Sequence, residues 1–177
     1  LQFVQVTAAQ SLSDRAAARL EETASDSFFL DLKKWRAIMA AYENGGHAYH
    51  ATLPTDALQG LRDAMEETRS MGFDAARQAQ WRLGDGVRAL LREKGFRLLA
   101  AEGFGAPGVV VAYTSDPEIH SGAKFLAQGV QIAAGVPLQV GEGADFRPFR
   151  IGLFGLDKLA DVDAAIARLR TALDAVL

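Results

Sequence analysis

The sequence contains no cysteine, no basic run and no long apolar segment, and each absence narrows the possible functions. Without cysteine there can be no disulfide, no thiolate nucleophile and no cysteine-ligated metal, which fits a reducing cytoplasm, our expected location. The 19 lysines and arginines are scattered and the formal net charge is −3, so nothing favours nucleic acid as a partner. No apolar run approaches the roughly 18 residues of a membrane span, so we expect no membrane partner either.

Histidine is also scarce. His47, His50 and His120 are the three histidines of the chain, and they lack the close spacing of a zinc site. We therefore expect no metal centre. Neither a nucleophile–base–acid triad nor a glycine-rich phosphate loop after a strand is visible, so the chain taken alone carries no recognisable catalytic set.

What remains is an ordinary globular composition, 49% hydrophobic and 23% charged over 177 residues. From residue 73 onward the apolar periodicity predicts the order helix, strand, strand, helix, strand, strand, helix. The four strands are expected at 96–100, 109–113, 130–133 and 149–154. This order indicates an α+β unit in which helices cover one sheet.

The residues before this unit predict helices but too few strands for a core of their own. The chain opens in an apolar alternation over residues 3–7, as if a strand were already under way. We therefore expect the chain to begin within a domain and residues 1–71 to complete it. Two glycines in the next predicted helix, Gly84 and Gly86, weaken that helix, so close packing is expected to require them.

The segment YHATLPT at residues 49–55 places a phenol, an imidazole and two hydroxyls before an amphipathic helix. Small polar donors at a loop-to-helix junction suit an anion such as a phosphate, with Tyr49 and Thr52 supplying hydroxyls and His50 stacking or donating nearby. The alternative is a capped helix start, with Thr55 as the N-cap and Tyr49 buried for packing. The segment alone leaves both interpretations open.

Arg150 lies in the apolar strand pattern FRIGLF at residues 149–154. Side chains alternate along a strand, so Arg150, Gly152 and Phe154 share one face, and Gly152 leaves room for a ligand there. A guanidinium binds a carboxylate through two parallel hydrogen bonds. The alternative is an arginine at a sheet edge that points to water.

Five segments together resemble the C-terminal half of class V aminotransferases, above all the alanine–glyoxylate and serine–glyoxylate (serine–pyruvate) group. They are SDR at 13–15, FLD at 29–31, YHATLP at 49–54, LRDA at 61–64 and FRIGLFG at 149–155. The resemblance implies an α/β parent of the pyridoxal-phosphate-dependent transferase fold type I. Residues 1–71 would complete its large cofactor-binding domain, and residues 72–177 would form the small α+β C-terminal domain.

The resemblance also assigns roles. Tyr49 and Thr52, with His50 beside them, would bind the phosphate of pyridoxal 5'-phosphate across the interface of a homodimer, and Arg150 would bind the substrate carboxylate. The Schiff-base lysine would lie just upstream of Leu1, so the 177-residue chain alone should be inactive. The sequence departs from the family at residues 3–6, FVQV, where many relatives have Pro-Pro-Gly, and at Ala51, where a polar residue can occur.

The expected function is therefore part of an aminotransferase that moves an amino group from alanine or serine to glyoxylate or pyruvate. Two alternatives stay open. One is another pyridoxal-phosphate enzyme of the same fold, such as a lyase, although the desulfurase-like lyases usually carry a cysteine that this chain lacks. The other is a non-catalytic module that binds a small metabolite or a protein partner.

Overall fold

The computed structural model describes residues 12–52, 54–143 and 145–177, and the strand predicted at residues 3–7 lies outside them. The described residues form two compact units that divide between Glu66 and Glu67. The domain boundary predicted between residues 71 and 72 remains a prediction. The elements in chain order are α1 Asp14–Glu21, α2 Leu32–Glu43, α3 Thr55–Met71, α4 Phe73–Glu93, β1 Val109–Tyr113, α5 Pro117–Ser121, α6 Ala123–Ala127, β2 Ala133–Ala134, β3 Pro148–Gly152, α7 Leu156–Ala160 and α8 Val162–Val176.

Side-chain caps begin both helices at the start of the first unit. The hydroxyl of Ser13 accepts a hydrogen bond from the backbone N–H of Ala16 at the start of α1. The carboxylate of Asp31 accepts from Lys33 N at 3.0 Å and from Lys34 N at 3.3 Å at the start of α2. No residue of α1 or α2 is buried, so these two described helices enclose no core between them.

The second unit contains an antiparallel sheet in the strand order β1-β3-β2. In the register, Val111 lies opposite Arg150 on one side of β3 and Ala133 lies opposite Arg150 on the other. Phe149 and Ile151 face the core, so the alternation along β3 turns Arg150 to the opposite face. The buried core contains Leu83, Val87, Leu90, Leu91, Val110, Ala112, Ile119, Phe125, Phe149, Ile151, Leu153, Val162, Leu173 and Val176.

Two glycines let α4 approach its neighbours closely, as predicted. A Cβ placed on Gly84 would lie 2.8 Å from the carbonyl oxygen of Pro107, and one placed on Gly86 would lie 2.3 Å from Cδ1 of Ile166. Both distances are shorter than a real Cβ contact, so neither position accepts a side chain without local movement.

Two of the four predicted strands differ from the structure. Residues 96–100 form no strand but a single bridge from Leu98 to Ala112, so β1 is paired on that side over a short stretch only. The strand predicted at 130–133 is shorter and shifted: β2 contains only Ala133–Ala134, and residues 130–132 lie outside it. Beyond Ala134, at the C-terminal end of β2, the next position on β3 is Pro148, which has no N–H to donate, so the ladder does not continue past that end.

The helix predicted between the strands at 109–113 and 130–133 is divided in two. Gly122 has φ +83° and ends α5 in the left-handed conformation, after which α6 begins. The short helix α7 was not predicted, since five residues are too few to show helical periodicity. The strand predicted at 109–113 is confirmed as β1, and the last predicted helix is confirmed as α8, which Asp161 caps.

Candidate functional site

The hydroxyl groups of Tyr49 and Thr52 lie 3.2 Å apart in the loop before α3. Each hydroxyl has one hydrogen to donate and can rotate, so either can donate to the other in the free protein. When an anion is present, both hydrogens can turn toward its oxygens. The structure thus brings the two predicted phosphate ligands together on one side of the turn.

The alternative interpretation of this loop, a capped helix with a packed tyrosine, is not supported. The Tyr49 side chain is 79% exposed, so its ring does not pack into a core. Thr55 is already the first residue of α3, and the first helical hydrogen bond runs from Leu58 N to the carbonyl of Pro54. An exposed phenol beside an exposed hydroxyl is available to a ligand or to another subunit.

His50, which lies between these two residues in sequence, contacts other residues of the first unit. Its Nε2 lies 2.7 Å from the carbonyl oxygen of Phe28, and because a carbonyl only accepts, Nε2 carries the hydrogen. The imidazole also lies 4.3 Å from the Phe28 ring and 5.2 Å from the Trp35 ring, centroid to centroid. The Nε2–H group of His50 is therefore occupied by the protein.

Arg150 is half-buried on the central strand of the sheet, so the sheet-edge alternative is wrong. Its Nε donates to the carbonyl oxygen of Ala134 at 2.9 Å, which fixes the plane of the guanidinium. Among the residues that the structure describes, Arg150 forms no ion pair with an acidic side chain. Its two terminal nitrogens therefore keep the paired donors that a carboxylate requires.

The surroundings of Arg150 leave space on this face. Gly152 is exposed, and a Cβ placed on it would lie 3.5 Å from the ring of Phe154. The ring of Phe154 is itself 70% exposed and lies beside Gly108 as well. The strand alternation thus places Arg150 on the same face as an open position, Gly152, and an aromatic ring, Phe154, as predicted.

Four of the five lysines already have partners, which leaves them poorly suited to proton transfer. Lys33 donates to the carbonyl of Glu21 at 2.8 Å, and Lys94, Lys124 and Lys158 each pair with an aspartate. The hydrogen bond to Asp116 raises the pKa of Lys124, so this amine stays protonated. A base must give up its proton near neutral pH, and the raised pKa of Lys124 opposes this.

The residues that hold the Tyr49 loop in place were not among the predicted site residues. Trp35 donates from Nε1 to the carbonyl of Phe29 at 2.7 Å, and Phe28 accepts from His50. The available signal was the run FFL at residues 28–30 followed by a tryptophan, since aromatic residues so close to a loop and a helix start commonly pack together.

Within the described ranges, no helix is long and apolar enough to cross a membrane. The same residues contain no group of three or more histidine, aspartate and glutamate side chains that could hold a metal ion. Tyr49, His50 and Thr52 belong to the first unit, whereas Arg150 belongs to the second.

Solved structures of aminotransferases share this architecture. Alanine–glyoxylate aminotransferase from Nostoc sp. matches 94% of the chain with a TM-score of 0.71 and 19% identity, over 42% of its own length. Ureidoglycine–glyoxylate aminotransferase from Bacillus subtilis matches 93% with a TM-score of 0.73 and 19% identity, over 41% of its own length. An aspartate aminotransferase of subgroup IV from Thermus thermophilus matches 94% with a TM-score of 0.54 and 20% identity, over 44% of its own length.

The chain has the fold of these fold type I aminotransferases. The fold class predicted from the sequence resemblance is therefore confirmed, and the coverage fits the predicted C-terminal fragment. The chain spans less than half the length of each of these aminotransferases. No protein-family model and no curated protein sequence matches it.

Proposed function

We propose that this chain is the C-terminal part of a homodimeric, pyridoxal-phosphate-dependent aminotransferase. Its donor would be a small amino acid, alanine or serine, and its acceptor a small 2-oxo acid, glyoxylate or pyruvate. The aminotransferase fold supports the proposal, and glyoxylate occurs in the names of two of the similar enzymes. The observation that carries it is Arg150, a guanidinium held by its Nε that has no acidic partner among the described residues.

The residues of the Tyr49 loop fit the phosphate group of pyridoxal 5'-phosphate. A phosphate has several acceptor oxygens, and Tyr49 and Thr52 offer two donors 3.2 Å apart at the surface. Hydrogen bonds from neutral hydroxyls to a charged acceptor are stronger than those between neutral groups. Since the loop is exposed in the single chain, the phosphate of a second subunit could reach it, as the resemblance implies.

Arg150 would bind the carboxylate of the substrate. Two parallel N–H···O bonds fix both the position and the plane of the carboxylate, which in turn orients the bonds at the α-carbon. The hydrogen bond from Nε to Ala134 holds the guanidinium in place before the substrate arrives. The free position at Gly152 leaves space beside the carboxylate for a small substrate.

The cofactor, when bound, supplies an electron sink for the bond that breaks at the α-carbon. The chain itself binds and orients: Tyr49 and Thr52 bind the phosphate, and Arg150 aligns the substrate. The proton would be moved by a lysine upstream of Leu1 in the full-length protein, and the 177-residue chain alone should then be inactive.

Removal of single hydroxyls tests the cofactor site. In the full-length protein, Tyr49→Phe and Thr52→Ala each delete one donor to a charged acceptor, worth roughly 1.5–3 kcal/mol, or about ten- to a hundredfold in affinity. The measurement is a titration of the cofactor-free protein with pyridoxal phosphate followed by absorbance. Tyr42→Phe is the matched control, because Tyr42 is an exposed tyrosine of the same unit.

We expect Tyr42→Phe to bind like the wild type. Unchanged affinity in both Tyr49→Phe and Thr52→Ala would remove these two residues from the cofactor site. A wild-type protein that retains no pyridoxal phosphate would contradict the proposed function itself and favour a binding module.

A further inference from the structure

We infer that His50 is a positioning residue, which holds the Tyr49–Thr52 turn in its phosphate-binding shape and does not bind the phosphate through Nε2. This inference rests on the proposed function, because it concerns how the same site is made ready for the cofactor. It assigns to His50 a different role from the cofactor contact that the sequence suggested.

The anchor of His50 joins parts of the chain that are far apart in sequence. Its Nε2–H donates over 2.7 Å to the carbonyl of Phe28, 22 residues away, and its ring packs against that of Phe28. The second ring contact, to Trp35, is an edge-on approach at an interplanar angle of 71°. One side chain therefore makes a hydrogen bond and two aromatic contacts, while the neighbouring His47 is exposed.

The segment that receives this hydrogen bond is itself fixed to a helix. Trp35 belongs to α2, and its Nε1 donates to the carbonyl of Phe29 at 2.7 Å. The rings of Phe29 and Trp35 lie 5.7 Å apart in an edge-on arrangement. The contacts therefore link α2 through residues 28–29 to His50. The ring contacts of Phe29 with Trp35 and of Phe28 with His50 add to the hydrogen bonds that restrain residues 28–29.

The hydroxyl pair has little else to hold it. The bond between Tyr49 and Thr52 spans three residues and lies in solvent, where a single hydrogen bond contributes little net stability. When a loop becomes ordered only on binding, the affinity for the ligand is lower, because ordering the loop costs conformational entropy. Since His50 lies between the two hydroxyl residues in sequence, its anchor orders the turn in advance.

A direct contact of Nε2 with the phosphate is incompatible with this arrangement. Nε2 has one hydrogen, and the carbonyl of Phe28 accepts it. Turning that hydrogen to a phosphate would leave the carbonyl of Phe28 without this donor and would separate the imidazole from two aromatic rings.

The test compares two substitutions of His50 in the full-length protein. In His50→Gln, the side-chain amide can still donate to the carbonyl of Phe28, although the ring and any positive charge are lost. In His50→Ala, donor and ring are both lost. The affinities for pyridoxal phosphate and for pyridoxal, which lacks the phosphate, are titrated by absorbance, with His47→Ala as the matched control.

We expect His50→Ala to weaken binding of pyridoxal phosphate by about five- to tenfold, the equivalent of one lost net hydrogen bond, and to leave pyridoxal binding unchanged. His50→Gln should recover most of the loss, and His47→Ala should show none. In the cofactor-free protein, hydrogen–deuterium exchange of residues 47–52 should be faster in His50→Ala than in the wild type and intermediate in His50→Gln.

Two results would overturn the inference while leaving the proposed function intact. The first is an equal loss in His50→Gln and His50→Ala, because that loss would require the imidazole or its charge at the phosphate. The second is wild-type affinity in every His50 variant. If the wild type bound no pyridoxal phosphate, the proposed function would fail, and unchanged exchange in His50→Ala would then overturn the positioning role as well.

Discussion

Replacement of Arg150 by lysine tests whether this arginine binds the substrate or only supports the structure. Lysine keeps the positive charge but loses the planar pair of donors, and it also loses the bond from Nε to the carbonyl of Ala134. Arg150 has no acidic partner among the described residues, so the change breaks no ion pair there. We therefore expect the fold and the bound cofactor to be retained.

The size of the effect follows from the bonds that are lost. One of two hydrogen bonds to a carboxylate is worth roughly 1.5–3 kcal/mol, and the loss of the Nε bond that orients the group adds about 1 kcal/mol. Arg150→Lys should therefore lower kcat/KM for an amino acid by about a hundred- to a thousandfold. An amine without a carboxylate, such as ethylamine in place of alanine, never uses these bonds and should lose much less.

The assay compares kcat/KM for alanine and ethylamine, beside the absorbance of the bound cofactor and a thermal melt. Arg97→Lys is the matched control, because Arg97 is an exposed arginine of the same unit whose guanidinium lies 3.7 Å from the centroid of the Tyr113 ring. It should leave the ratio of the two substrates unchanged. Equal losses for both substrates in Arg150→Lys, or a large fall in melting temperature, would refute the carboxylate role.

Further predictions concern stability, measured by chemical denaturation of the full-length protein. Gly84→Ala should lower the free energy of unfolding by about 1–3 kcal/mol, because its Cβ would meet the backbone oxygen of Pro107, whereas Gly60→Ala in α3 has open space and should raise it by up to about 1 kcal/mol. A fall of the same size in both would contradict the close-packing argument. The hydrogen bond from Lys124, together with those from two backbone N–H groups, lowers the pKa of Asp116. The ionised carboxylate therefore stabilises the fold at pH values above the ordinary aspartate pKa, and this stabilisation is lost as the pH falls through the lowered pKa. Asp116→Asn should therefore destabilise at neutral pH and differ less from the wild type in acid; a difference that does not shrink in acid would argue against this linkage.

The parts of the fold that the sequence predicted correctly are those fixed by local chemistry. Ser13, Asp31 and Asp161 each cap a helix through a bond to a backbone N–H at most three residues away, so the pattern of nearby residues suffices. The short strand β2 could not be predicted in the same way. Its bounds depend on the pairing with β3, a strand distant in sequence, on which Pro148 follows the last paired position.

The same distinction applies to the site. Tyr49 and Thr52 are three residues apart, so their convergence in one turn could be predicted from their spacing. The anchors of His50 and Arg150 could not, because they bond to carbonyl groups 22 and 16 residues away. Tertiary packing decides which backbone carbonyl lies beside a side chain, so the local sequence pattern cannot predict that contact.

The most direct test of the central claim is transfer of labelled nitrogen by the full-length protein saturated with pyridoxal phosphate. The protein is incubated with nitrogen-15 alanine and glyoxylate, or with nitrogen-15 serine and pyruvate, and the products are identified by mass spectrometry. We expect labelled glycine from the first pair or labelled alanine from the second. Label released only as ammonia would indicate a lyase, and no turnover of either pair by the loaded protein would contradict the proposed aminotransferase.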